Sequence, residues 1–472
     1  MFKKVMLLVF LVLSLCIMSG SASAIGTASY IDGLWTPIGE SGVDPTYMFV
    51  NPGGLGDVLI YPYYNVRDGK ISVFGVVNTS DSTGARVRIR FREAADIPES
   101  AGRDCDGDVD HHDDPQGSHE VLDFDICLSA GDMWVGRIFT GADGAATIKS
   151  DDNDTYVQFT DLATGIDIFA TRFPNGVPFK YGAFNPVEGI TADNTREGYF
   201  EIIAENALTD VCDDDESTQI TLDDCTCGNL LDVDADVGND LMGVNYIVDL
   251  GDASTFGYNA TAIAEFAISN ISAPIASARP NLREDNADDP GFIAPVNFIL
   301  TKSDFYSIFD TETSKGGDTE FIITFPTKKL TQDQNGDTCT DIFMDPVVNV
   351  IIWDDEEHFV TQVCEFSPCL TQEENELPFE INVLDINNSN IFTSDVTTEI
   401  ATSFNLGWAH IDLWNAAQTG VAHQTTYNGA TSRGLPAIGY NALGFGIGAP
   451  MGATHMLPMQ YDSNVIPFRV IE

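Results

Sequence analysis

The sequence predicts a mainly β chain, folded as two or three tandem antiparallel β-sandwich domains of immunoglobulin-like type with Asp-rich loops. Three observations predict this. Short runs of β-branched and aromatic residues recur along the chain, and clusters of Gly, Asn, Asp and Pro separate them. Few segments carry the apolar period of an amphipathic helix. The length of 472 residues exceeds what one sandwich of roughly 100 residues takes up.

The first element is a leader. Lys3 and Lys4 precede an apolar run from Val5 to Met18 and a small-residue stretch ending at Ala24, the order of a secretory signal peptide. Residues 1–24 are therefore expected to be removed. The apolar run is shorter than the roughly 20 residues a spanning helix needs, and no later run is longer, so no transmembrane helix is expected. Leu15 stands before Cys16 where a lipid-attachment site wants a small side chain.

An N-terminal β-sandwich is expected over residues 25–145, and its clearest part is residues 56–93. Runs at 58–65, 71–78 and 86–92, with turn residues at 67–70 and 80–84, read as a three-stranded antiparallel meander. In the third run Val87, Ile89 and Phe91 alternate with Arg86, Arg88, Arg90 and Arg92, so one face is core and the other a row of guanidinium groups. Strands at 121–128 and 133–139 follow. A middle β domain over 146–290 holds strands at 199–204 and 244–250 around a Cys/Asp-rich insertion, and residues 260–268 suit helix and strand alike. A C-terminal β domain over 291–472 carries strands at 321–326, 347–353, 379–384 and 406–414 and a Gly-rich tail. No repeat of fixed period occurs, which argues against solenoids and propellers.

The charge balance narrows the partners. The chain has 72 acidic and 22 basic residues, and loss of Lys3 and Lys4 takes the net charge from −50 to −52. The charge disfavours nucleic acid and anionic lipid, and no nucleic acid partner is expected, because a phosphate-binding surface must supply cations. Bound divalent cations or a salty medium would screen the self-repulsion. With 43% hydrophobic and 10% aromatic residues, the chain has enough apolar surface to fold.

Nine cysteines are present, one of them in the leader. The other eight are Cys105, Cys127, Cys212, Cys225, Cys227, Cys339, Cys364 and Cys369, an even number that in an exported chain reads as up to four disulfides. Cys105 with Cys127 is the first pairing expected. The remaining two groups hold three cysteines each, so a bridge between groups or an unpaired couple is implied. Cys225-Thr226-Cys227 lacks the spacing of a zinc ribbon. Without a Cys-x-x-Cys-His motif, c-type haem is excluded.

Three acidic loops are the candidate metal sites. Asp104, Asp106, Asp108 and Asp110 space carboxylates two apart, as do Asp232, Asp234 and Asp236 with Asp240, and Asp333, Asn335, Asp337 and Asp341. An irregular loop can turn such alternate oxygens toward one hard cation, and Ca²⁺ is the ion expected, although none of the three is an EF-hand. Arg86, Arg88, Arg90 and Arg92 admit two readings. They pair with acids on a neighbouring strand, or they form an interface that receives an acidic loop of a neighbouring copy and so propagates an array.

Catalysis is not expected. The seven histidines are isolated or lie in acidic loops, as His111 and His112 do, and no nucleophile elbow, zinc-protease motif or phosphate-cradling loop occurs. Asp354-Asp355-Glu356-Glu357 are adjacent in sequence, which does not place two carboxyls across a sugar.

Residues Asn51-Pro-Gly-Gly-Leu-Gly-Asp57 with the following Val-Leu-Ile-Tyr-Pro-Tyr-Tyr-Asn, Val77-Asn-Thr-Ser, Leu122-Asp-Phe-Asp, Asp132-Met-Trp134 and Phe321-Ile-Ile-Thr-Phe-Pro-Thr-Lys together resemble uncharacterised exported proteins of Gram-negative bacteria. The resemblance implies a β-rich protein outside the cytoplasm and carries no activity and no site residues. The function expected is a secreted, self-assembling cell-surface structural protein, the subunit of an S-layer or extracellular filament, with copies of itself as partners. Apolar-containing arms at 25–50 and 464–472 suit strand addition to a neighbour. The alternative is a binding module, an adhesin or a carbohydrate binder, with Trp353, Trp408 and Trp414 stacking on a cell-surface glycan. An outer-membrane barrel is the third reading, disfavoured by short strands.

Overall fold

The computed structural model describes residues 48–94, 118, 120–151, 156–161, 166–170, 176–181, 190–208, 238–266 except 252, 282, 293–312, 317–327, 347–358 except 357, 374–389 except 378, 391–414, 424–427, 430–445 and 453–462. They are mainly strands and belong to one compact unit, Pro45–Glu472.

Three sheets carry the architecture. The first has eight strands, in spatial order β1 (Phe49–Asn51), β15 (Thr261–Ala264), β3 (Val58–Asn65), β12 (Glu197–Leu208), β5 (Gly84–Glu93), β6 (Glu120–Leu128), β9 (Tyr156–Asp161) and β10 (Ile166–Ala170). The second has twelve. It begins with β11 (Val177–Pro178), β8 (Ala146–Lys149), β7 (Met133–Thr140), β4 (Lys70–Asn78), β13 (Leu241–Asp249) and β14 (Ser254–Asn259), with β2 (Leu55–Gly56) also on β13. It continues through β28 (Ala453–Pro458), β27 (Ile438–Phe445), β18 (Gly317–Thr324), β21 (Ile381–Ile386) and β22 (Thr397–Ile400). The third has five, β20 (Glu374–Glu376), β19 (Val347–Asp354), β23 (Leu406–Asp412), β17 (Asp304–Asp310) and β29 (Gln460–Asp462). Two small ladders pair β16 (Thr301–Lys302) with β26 (Leu435–Pro436) and β24 (Gln424–Tyr427) with β25 (Ala430–Arg433). A helix, α1 (Ile293–Leu300), precedes β16. Among the described residues no helix is long and apolar enough to cross a membrane.

Most pairings are antiparallel. The join between the halves of the large sheet is parallel, with Thr255 opposite Ala453 and Gly257 opposite His455. This sheet draws strands from the first, middle and last parts of the chain. One core lies between the eight-stranded sheet and the large sheet, where Tyr61 stacks on Phe200 at 4.2 Å and Phe74 meets Phe91 at 5.8 Å and Trp134 at 5.6 Å. The second core lies on the five-stranded sheet. Phe321, Ile323, Leu384 and Ile386 pack there against Phe305, Phe309, Ile352 and Ile411, while Ile322 and Val383 belong to the first core. β18 and β21 thus bury apolar side chains on both faces, because each face meets a different layer.

The strands of residues 58–93 form, but not as a meander. β3 and β5 lie in the eight-stranded sheet, with β12 inserted between them, and β4 crosses to the large sheet. The arginine row supplies the physical reason. β4 reads Lys-Ile-Ser-Val-Phe-Gly-Val-Val-Asn and has no acid to set beside it, whereas β12 brings Glu201 opposite Arg90, and β6 brings Asp125 opposite Arg88 and Asp123 opposite Arg90. Turn residues mark where the chain reverses and leave open whether it returns in the same sheet or the other.

β12 can lie this close because Gly198 has no side chain. A Cβ there would sit 1.9 Å from the Arg92 carbonyl oxygen, beside the register shift that lets Tyr64 pack underneath. Gly198→Ala is expected to cost about 1–3 kcal/mol, the range for overpacking a filled site. Urea unfolding followed by tryptophan fluorescence measures it.

Candidate functional site

The solvent-facing side of the five-stranded sheet carries exposed apolar and aromatic side chains. β17 alternates, with Phe305 and Phe309 buried in the second core and Tyr306 and Ile308 outward. β23 does the same, burying Ala409 and Ile411 and turning Leu406, Trp408 and His410 outward. Period-two geometry then builds rows across the sheet. Ile308, Trp408 and Trp353 form one row, and Tyr306, His410 and Ile351 the next. Asp304, Asp412 and Asn349 form a polar row at one end.

The exposures are large for such residues: Ile308 61%, Leu406 47%, Trp408 37% and Tyr306 36%. An outward sheet face in water is ordinarily polar, and a contiguous apolar strip marks a contact surface. The rings are ordered against one another. Trp353 and Trp408 stack at 4.0 Å with planes 4° apart, and Tyr306 stacks on His410 at 4.8 Å and 11°. Gly407 permits the first pair, since a Cβ at that position would lie 1.8 Å from the Trp353 carbonyl oxygen and hold the strands apart. His410 Nε2 lies 2.5 Å from Asp304 Oδ1, which ties the aromatic rows to the polar one.

Just beyond Trp353, Asp354 accepts hydrogen bonds from the Glu356 and His358 backbone at 3.0 and 2.7 Å and meets His358 Nδ1 at 2.9 Å. Its hydrogen bond to Asp354 holds the His358 imidazole above its ordinary pKa. Desolvation works against the Asp354 carboxylate, but the bonds from His358 outweigh it and hold the group below the usual range. With His358 67% exposed, this pair is a charged corner of the face and no enclosed acid–base site.

The predicted arginine row lies elsewhere, on the eight-stranded sheet, and it is inside. Arg86, Arg88, Arg90 and Arg92 are 2–6% exposed. Arg86 pairs with Asp125 at 2.5 Å and Glu205 at 2.8 Å. Arg88 pairs with Asp125 at 2.7 Å and also with Asp123. Arg90 meets Glu120 at 3.2 Å and Glu201 at 3.8 Å, and Arg92 donates to the Ser118 carbonyl at 3.4 Å. Arg86, Arg88 and Arg90 thus meet carboxylates of their own chain.

Cys127 is buried on β6 directly across from Arg86. Asp104, Asp106, Asp108, Asp110, Asp232, Asp234, Asp236, Asp333, Asn335, Asp337 and Asp341 lie outside the described residues, as do Cys105, Cys212, Cys225, Cys227, Cys339, Cys364 and Cys369. Asp240 is described, and burial together with nearby Asp81 raises its carboxyl. Among the described residues no three metal-ligating side chains gather. Trp414 does not join Trp353 and Trp408; it stacks under the Arg433 guanidinium, 4.4 Å from its ring centre.

Sequence reasoning singled out Trp353 and Trp408 and missed Tyr306, Ile308, Leu406 and His410. The alternation in Leu406-Gly-Trp-Ala-His-Ile-Asp412 was the available signal. Comparison of the chain with protein families, characterised proteins and solved structures finds no match.

Proposed function

We propose that this is an exported cell-surface structural protein that assembles with copies of itself through the aromatic face of the five-stranded sheet. The observation that carries the reading is the outward strip of Tyr306, Ile308, Leu406 and Trp408 on an ordered sheet. Ring geometry favours a protein surface as occupant. Trp353 and Trp408 spend a face on each other, whereas a pyranose stacks on an open ring face. Side-by-side copies of a chain at −50 repel one another, so divalent cations or high salt belong to the assembly, and the acidic loops are the expected Ca²⁺ ligands. Disulfides, Cys105–Cys127 foremost, would stiffen the subunit in an oxidising compartment; peptide mapping without reduction reads the pairing.

The test is negative-stain microscopy and light scattering of the full chain, with and without millimolar Ca²⁺. Regular sheets or filaments that disperse on chelation are expected. In Ile308→Ser, at the most exposed position of the strip, they should be lost while the melting temperature stays within a degree or two, because exposed substitutions change stability by only about 0.5 kcal/mol. Dispersed particles of the parent protein under every condition would sink the reading. The exposure of Trp408 also keeps glycan binding as the second reading, which a glycan array with Trp408→Ser as control decides.

A further inference from the structure

A cavity of about 90 Å³ lies between the end of α1, β16 and the start of β27. Leu300, Phe305, Ile438 and Met459 form apolar walls, and Phe305 reaches it from the buried side of β17, opposite Tyr306. One cation lines it, Lys302, which is 6% exposed. Its place is set by backbone. β16 pairs with β26, and Gly434, at φ 104°, lets that turn pass so close that a Cβ would lie 1.8 Å from the Lys302 carbonyl oxygen. The amine points back to the helix, donating to the carbonyls of Leu300 at 3.2 Å and Ile299 at 3.4 Å.

We infer that Lys302 is the attacking amine of a carbonyl-binding pocket, taking aldehydes or ketones of about two to four carbons as an imine; a cavity of about 150 Å³ holds benzene, which sets the scale. Three features support it. The walls are apolar, so they favour a neutral imine over a buried ammonium. The amine's bonds to Leu300 and Ile299 are to neutral carbonyls. Burial itself pushes the amine down to about 8, so roughly a tenth is free base at pH 7, against about one part in three thousand for an ordinary lysine. In the reaction the nitrogen lone pair attacks the carbonyl carbon, the C=O π pair moves to oxygen, and a proton passes from nitrogen to oxygen. Loss of that oxygen as water forms the C=N bond, with no oxidant or reductant required.

The full chain is incubated at pH 7 with propanal and cyanoborohydride, which reduces each imine to a propylamine, and then digested for mass mapping. Lys302 is expected to be propylated at least about tenfold faster than Lys149, whose side chain is 34% exposed. Ala437, another wall residue, supplies the control. Ala437→Leu fills the cavity and should bring Lys302 down to the Lys149 rate while Lys149 itself is unchanged. Labelling of Lys302 no faster than Lys149 in the parent chain, or undiminished labelling in Ala437→Leu, overturns the inference.

Discussion

Replacement of Arg88 by alanine is expected to destabilise the chain by about 3 kcal/mol, the lower end of the range for removing one partner of a buried pair. The side chain is 2% exposed and meets Asp125 at 2.7 Å and Asp123 beside it. Its loss leaves two largely buried carboxylates each short of a cationic partner. Arg86 at 2.5 Å from Asp125 and Lys180 at 3.4 Å from Asp123 soften the blow, which is why the lower end applies. The contrast is Arg137→Ala. The pair of Arg137 with Asp151 is 44% and 64% exposed, and its loss should change stability by less than about 0.5 kcal/mol.

Acid dependence separates the two further. Burial works to raise the Asp125 carboxyl, but Arg88 and Arg86 overcome it and hold the group below the usual carboxylate range. A carboxyl depressed in the folded state contributes stability above its unfolded pKa of about 3.9, and that stability is lost as the pH falls through the folded value. The Arg88→Ala variant should therefore lose less on acidification than the parent. Urea midpoints measured from neutral pH down to pH 3 read this directly, and parallel curves would remove Arg88 from the account.

The second large effect is expected at Glu320 and has the opposite sign. This β18 carboxyl is 1% exposed and accepts the backbone N–H groups of Ile391 at 2.9 Å and Phe392 at 3.1 Å. They open a segment that joins the layers: Phe392 packs on Tyr63 at 5.2 Å and Phe256 at 5.0 Å, and Asn65 donates to the Thr393 carbonyl at 2.9 Å. Asp395 then pairs with Arg67, and its N–H donates to Glu197 at 3.1 Å. Burial raises Glu320 to about 8, with Asp385 adding to the rise and the two N–H groups opposing it.

A carboxyl raised in the folded state contributes stability that is fully present below its unfolded pKa and is lost as the pH climbs through the folded one. The window here runs from about 4.5 to about 8. Glu320→Gln cannot ionise. It should match the parent near pH 4 and exceed it by about 2–4 kcal/mol above pH 8, in urea unfolding at both ends of the range. Equal stabilities at pH 9 would place the charge in contact with water.

The alternation in residues 86–92 was enough to place Val87, Ile89 and Phe91 in a core, and their burial in the eight-stranded sheet follows from period-two geometry alone. The same pattern left the opposite face undecided, because a row of guanidiniums looks alike whether a neighbouring strand or a neighbouring molecule supplies the acids. Residues 293–300 were not recognised as helical. The stretch of eight has a single polar side chain, Asn297, and shows no amphipathic period, so its pattern does not distinguish helix from strand. Tyr306 and Ile308 were invisible for a related reason. The run Phe-Tyr-Ser-Ile-Phe is apolar on both faces, as a strand covered on both sides would be, and its sequence does not say that one side is bare.

What the sequence determined by itself was local: strand-forming runs at the right spacing, turn positions and a strongly acidic charge balance, all set by side-chain chemistry within a few residues. The tertiary structure decided which strands are neighbours. Glu201 comes to Arg90 from more than a hundred positions away, a parallel join unites the halves of the large sheet, and one face of β17 is left in water. Those outcomes depend on which distant partner satisfies a strand's charges and covers its apolar face, a competition among long-range contacts that no local pattern encodes.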